Sequence, residues 1–198
     1  MSESDHCFLP QPGDALLVVD VQNDFLPGGT LGIDQADRIL PPLNQAITLF
    51  EKTHQLIIFS RDWHPENHCS FSEYAGPWPR HCVANTHGAA FSRQINWPTQ
   101  AFIVSKARAA QEDAYSAFQG THLAEQLQQF NITRLLICGL ATDYCVLQTT
   151  LDALKHGFSC YLLTDAMAAV NVRETDGKQA LEKMLESGAI LISSDQLL

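Results

Sequence analysis

The sequence predicts a three-layer α/β/α fold, a mainly parallel six-stranded sheet between helices, on two observations. Six short runs rich in β-branched residues and leucine recur along the chain. Nearly continuous apolar runs of this length suit strands buried on both faces. The segments between them have helical spacing, so strand and helix alternate, which is the order of a parallel sheet covered by helices. With 198 residues, 45% of them hydrophobic, the chain can fill one core without disulfide or metal staples, and residues 1–198 read as one domain.

The elements follow in order. The first strand is "ALLVVDV" (15–21), and "ADRILPPLNQAITLFEKT" then places Ile39, Leu43, Ile47 and Phe50 on one helical face. "QLIIFS" (55–60) and "AFIVS" (101–105) are the second and third strands. "THLAEQLQQF" offers Leu123, Leu127 and Phe130 behind Thr121 and Glu125, one residue further apart than a capping box. "RLLICGL" (134–140) is the fourth strand and "CYLLTD" (160–165) the fifth. Between and after them, "DYCVLQTTLDALKHG" and "TDGKQALEKMLESG" read as helices stopping on Gly157 and Gly188, and "AILIS" (189–193) is the sixth strand. Two connections, 61–100 and 106–120, are too long for turns. The first is rich in His, Trp and Pro, which points to function.

Composition narrows the partners. A net charge of -10 with no run of Lys or Arg argues against a grip on nucleic acid or an anionic membrane. No apolar stretch approaches the roughly 20 residues of a membrane span, and "MSESDHCFLPQPGD" has neither a basic start nor an apolar signal core. The expectation is a cytoplasmic protein acting on a small molecule, and a homo-oligomer is compatible with the sequence. The six cysteines, in such a chain, are expected to be free thiols.

In open α/β sheets ligands bind beyond the carboxyl ends of the strands. Strand one ends in Asp20, strand two runs into Asp62 and His64, strand three delivers Lys106 and strand four leads to Cys145. Singly, each has a simpler reading: a turn cap, a solvated cation, a small buried hydrophobe. Their succession at one rim is what points to chemistry. A helix capped by Thr142 or Asp143 would put Cys145 in its first turn, where free N–H groups and the dipole favour a thiolate and an oxyanion. Cys138, mid-strand, reads as core.

The loop "RDWHPENHCSFSEYAGPWPRHC" carries a second constellation. Asp62 and His64 are two apart, so an extended backbone aims both side chains one way, and His81 can fold back to them. A carboxylate with imidazoles suits one divalent ion, Zn, Fe or Mn, with His68 or Glu73 as further candidates. Phe25, Trp78 and Tyr115 fall in the same rim segments and can wall a flat ligand.

The motifs "VVDVQNDF", "SRDWHP", "WPRHCV", "VSKA" with "DAYSAF", and "GLATDYCV" together resemble those of nicotinamidases, also called pyrazinamidases, within the isochorismatase-like cysteine hydrolases. The resemblance spans most of the chain. It implies an Asp20, Lys106, Cys145 triad and metal ligands Asp62, His64 and His81, with Glu73 and His68 where some members add a ligand. It also implies a cis Leu140–Ala141 peptide, an oxyanion hole from the Ala141 and Cys145 amides, and a pocket walled by Phe25, Trp78 and Tyr115. The activity implied is hydrolysis of nicotinamide to nicotinate and ammonia, and of pyrazinamide to pyrazinoate. One departure is Ala107, where many members have glycine. The alternatives are a relative acting on isochorismate or an N-carbamoyl amide, which would not need the metal trio, and a metal-binding or redox-sensing protein, which would not need the triad.

Overall fold

The computed structural model describes residues 7–198; residues 1–6 of the N-terminal segment read above lie outside it. Six strands, β1 (Asp14–Val19), β2 (Leu56–Asp62), β3 (Phe102–Lys106), β4 (Arg134–Leu140), β5 (Ser159–Ala168) and β6 (Ile190–Ile192), form one sheet in the order β3-β2-β1-β4-β5-β6. Every pairing is parallel. The helices are α1 (Leu40–Lys52), α2 (Leu123–Gln129), α3 (Leu147–Lys155) and α4 (Asp176–Glu186).

Alternation along β1 shows how the layers form. Leu16 and Val18 pack with α1 residues Leu43, Ile47 and Phe50 in one core. Ala15, Leu17 and Val19 face the other way, into a second core with Leu123, Ala153 and Met184 from α2, α3 and α4. All six β1 residues are therefore buried, and each large aliphatic side chain so buried contributes about 1.5–3 kcal/mol. The α1 stripe read from sequence is the buried one. Phe130 departs from expectation: it lies just past the end of α2, 50% exposed, with its ring 5.4 Å from Phe102 on the edge strand β3.

The chain runs outward from β1 through β2 to β3, then returns to place β4 on the other side of β1. The seam between β1 and β4 is thus a topological switch point, where loops diverge and leave a crevice at the strands' carboxyl ends. Asp62 and Lys106 are the last register pair of β2 and β3, so both charges open onto that end of the sheet.

Candidate active site

Asp20 leaves β1 in a left-handed backbone conformation, φ 48°, and its N–H donates to Ser60 O at 3.2 Å. Across the seam, Val19 is in register with Gly139. A Cβ at Gly139 would lie 2.1 Å from Val19 O, and φ there is +113°; glycine lets the two backbones close on each other. The Leu140–Ala141 peptide is cis. Thr142–Val146 then form one wide π-helical turn leading into α3, and Cys145 sits within it. In place of a Thr142 or Asp143 cap, the N-cap is extended Ala141 with no side-chain bond. Thr142 is buried, and the Asp143 carboxylate accepts the N–H groups of Val170 and Asn171 at 2.9 Å each.

Lys106 Nζ is the hub. It lies 3.0 Å from Asp20 Oδ2 and 3.5 Å from Cys145 Sγ, donates to Ala114 O at 3.2 Å, and bonds Asp62 Oδ1. Asp20, Lys106 and Cys145 are all buried. Ser60 Oγ donates to Asp20 Oδ1 at 2.7 Å. Oδ2 has no partner of hydrogen-bond geometry despite its closeness to the ammonium, so we read that contact as an ion pair.

Burial raises the Asp20 carboxyl, and Lys106 pulls it back only in part. Burial also drives the Cys145 thiol well up, against Lys106. For Lys106 burial works the other way, yet Asp20 and Asp62 hold the ammonium charged, well above its ordinary range. The thiolate expected at a helix entrance is therefore opposed by desolvation, which favours the thiol form of Cys145.

Asp62, His64 and His81 are buried and bring one donor atom each within 4.8 Å of one another. His64 Nδ1 lies 3.0 Å from His81 O, and His81 Nδ1 lies 2.8 Å from Pro79 O. A carbonyl accepts only from N–H, so in the neutral rings the protons sit on Nδ1 and both Nε2 lone pairs are free. Burial depresses His64 to about 3 and lowers His81, keeping both in the neutral form that ligates metal. Three such donors fit a catalytic divalent site with open positions.

The two further candidates fare differently. Glu73 is exposed and joins no cluster of metal-type donors among the described residues. His68 stacks on His64 with centroids 4.2 Å apart and forms a separate group with His64 and Asp113. Its Nε2 lies 3.1 Å from Glu112 O, in the connection after β3, and its Nδ1 2.7 Å from Ser70 Oγ in its own loop, so both nitrogens are engaged.

Between the Asp20, Lys106, Cys145 group and the Asp62, His64, His81 group runs a cleft lined by Phe25, Trp78, Tyr115, Ala141, Tyr144 and Cys145, among others. Trp78 Nε1 donates to the Tyr115 hydroxyl at 3.0 Å, and Trp78 meets Tyr144 edge to face at 5.4 Å. A model of the isochorismatase domain matches residues 14–196. The chain belongs to the isochorismatase family.

Within the family, a nicotinamidase of Acinetobacter baylyi is 38% identical to it, covering 93% of this chain and 94% of the relative. A pyrazinamidase of Pyrococcus horikoshii, solved in complex with zinc, is 49% identical with a TM-score of 0.88, covering 92% of this chain and 99% of that one. PnC1 from L. infantum, solved in complex with nicotinate, is 34% identical with a TM-score of 0.88, covering 97% and 98%.

Several residues of this family member's site are not singled out by the sequence reading. Tyr144, Leu31, Ile33 and Val170 also line the cleft; Tyr144 lies within a motif already quoted, but the other three carry no local signal. Gln22 is fully buried. Its side-chain amide donates to Asp62 O and Ala89 O and accepts from Asp62 N, which pins the histidine loop to the end of β1. The Asp24 carboxylate accepts the Cys82 N–H at 2.7 Å, fixing the backbone beside His81. Ala107 sits at φ 52°, which explains physically why a glycine suits that position.

Proposed function

We propose that this protein hydrolyses the carboxamide of nicotinamide, giving nicotinate and ammonia, and acts likewise on pyrazinamide. The observation that carries the reading is the meeting of Lys106 with Asp20, Cys145 and Asp62 in one buried cluster. It sets a candidate nucleophile and base beside three donors able to hold a metal ion, across one aromatic-walled cleft. The names of the relatives support the same substrate class.

Cys145 Sγ attacks the carboxamide carbon while its proton passes to Asp20. A carboxylate whose pKa is raised by burial is a better base near neutral pH than an ordinary one. The Lys106 ammonium balances negative charge as it moves from carboxylate to sulfur to substrate oxygen. The amides of Ala141 and Cys145 receive that oxygen. Asp20 returns its proton to the nitrogen as ammonia leaves and a thioester remains; it then takes a proton from the water that hydrolyses the thioester, and the thiol is restored. A divalent zinc, iron or manganese ion on Asp62, His64 and His81 supplies, when bound, a Lewis acid for the ring nitrogen. Phe25, Trp78 and Tyr115 flank the ring and exclude water from it.

Ammonia release from nicotinamide by purified, metal-supplied protein tests the reading, and no release overturns it. Cys145→Ala is expected to abolish turnover with metal content unchanged.

A further inference from the structure

The segment that follows β5 is placed by a contact outside the sheet. Beyond Ala168 the chain leaves the ladder, and Val170 reaches the cleft that holds Cys145. Three contacts hold it there. The Asp143 carboxylate accepts the consecutive N–H groups of Val170 and Asn171 at 2.9 Å each, a two-toothed, charge-assisted grip on backbone. Asn171 takes the left-handed conformation, φ 53°, and its Oδ1 accepts the Gly177 N–H at 2.8 Å at the start of α4. Gly177 lies so close that a Cβ on it would fall 2.6 Å from Ala169 Cβ.

Asp143 stands two residues before Cys145 in the same helical turn, with the cleft residue Tyr144 between them. The side of the cleft that Val170 forms is thus tied, through the Asp143 carboxylate, to the turn carrying the thiol. A wall held in place in the cleft that contains the reacting residue can discriminate by shape, whereas a loose loop would yield to a larger ligand. Val170 is apolar, β-branched and so stiff at χ1, and 38% exposed at the mouth.

We propose that Val170, latched by Asp143, is a specificity-determining residue that closes the cleft against ring-substituted amides. The inference rests on the amide-hydrolase reading above and adds what that site refuses: pyridine carboxamides carrying an extra alkyl group on the ring.

The test compares kcat/KM for nicotinamide with that for its four ring-carbon methyl derivatives, in the wild type, Val170→Ala and Asp143→Ala. One methyl group in a tight pocket is worth about 10-fold or more in discrimination. Val170→Ala is expected to raise the methyl-to-parent ratio by about that factor for at least one derivative. Asp143→Ala is expected to relax the same derivative and to speed amide hydrogen exchange at Val170 and Asn171. If Asp143→Ala does not fold, Asp143→Asn, which offers one acceptor oxygen in place of two, serves for the exchange measurement. A purely structural role would lower all five values together and leave the ratios alone. Unchanged ratios in an active Val170→Ala enzyme overturn the specificity role, and unchanged exchange overturns the latch. A wild type that releases no ammonia from nicotinamide overturns the functional reading itself, a result distinct from either.

Discussion

Lys106 Nζ lies 3.0 Å from Asp20 Oδ2, and neither side chain is reached by solvent. The ammonium also bonds Asp62, so one cation balances two carboxylates in a buried setting. Removing one partner of such a group leaves uncompensated charge, which costs about 3–5 kcal/mol.

Lys106→Met, which keeps the stem and removes the charge, is expected to lower stability by about 3–5 kcal/mol in urea unfolding at neutral pH. Turnover should fall by about 100-fold or more, since the proton-transfer pair loses its counter-charge. Lys106→Arg should not restore it, because a planar fork cannot stand in for a point charge among four closely set partners. Wild-type stability in Lys106→Met would show that the cluster is not ionised as described.

Much of this cluster is readable from the chain because strand ends are. The fourth strand runs over the seven residues read from "RLLICGL", and Asp62 and Lys106 prove to be the last residues of β2 and β3, two residues and one residue beyond the apolar runs that announce them. The first strand stops at Val19, before Asp20, because a positive φ breaks the extended backbone there, and side-chain patterning does not report φ. The helix cap was likewise illegible: Thr142 and Asp143 have cap chemistry, but tertiary contacts bury one and bind the other to a segment 27 residues on. Where Glu73 and His68 stand relative to Asp62, His64 and His81 is likewise unreadable from the chain, since ligand-type side chains in a loop do not show which way the loop folds. Gln22 and Ser60 could be found only through their partners.

His81→Ala is expected to reduce bound divalent metal, measured by metal analysis of protein purified without chelators, to well below one ion per chain. The Michaelis constant for nicotinamide should rise more than kcat falls, because the variant leaves Asp20, Lys106 and Cys145 in place and removes a substrate anchor. Full metal occupancy in this variant would remove His81 from the ligand set.

Metal-free protein is expected to lose stability as pH falls from about 6.5 toward 3. Burial depresses the folded-state pKa of His64 from its ordinary 6.5 to about 3. In that window the unfolded chain binds a proton that the folded chain refuses, so acid favours unfolding, and the contribution is complete above about 6.5. One proton corresponds to about 1.4 kcal/mol per pH unit. Urea unfolding of metal-free His64→Asn, which cannot titrate there, should be less steep by about that slope, and parallel curves would show that His64 is not buried in its neutral form.

Gly139→Ala is expected to destabilise the fold by about 3 kcal/mol, although it adds a single methyl group. Two costs coincide: an L side chain at a strongly positive φ loses about 1–2 kcal/mol, and the methyl must displace a packed neighbour, about 1–3 kcal/mol more. The neighbour is the backbone of Val19, which cannot swing aside as a side chain would. Val19 precedes Asp20, and Gly139 lies two residues before Ala141, so any relief must widen the seam between Asp20 and Cys145. The midpoint of urea unfolding should fall, and whatever folded fraction remains should hydrolyse nicotinamide with reduced kcat while its metal content stays near that of the parent, since Asp62, His64 and His81 hang from β2 and the loop beyond it. Equal losses of metal and kcat would mean that strain at the seam spreads across the whole sheet end.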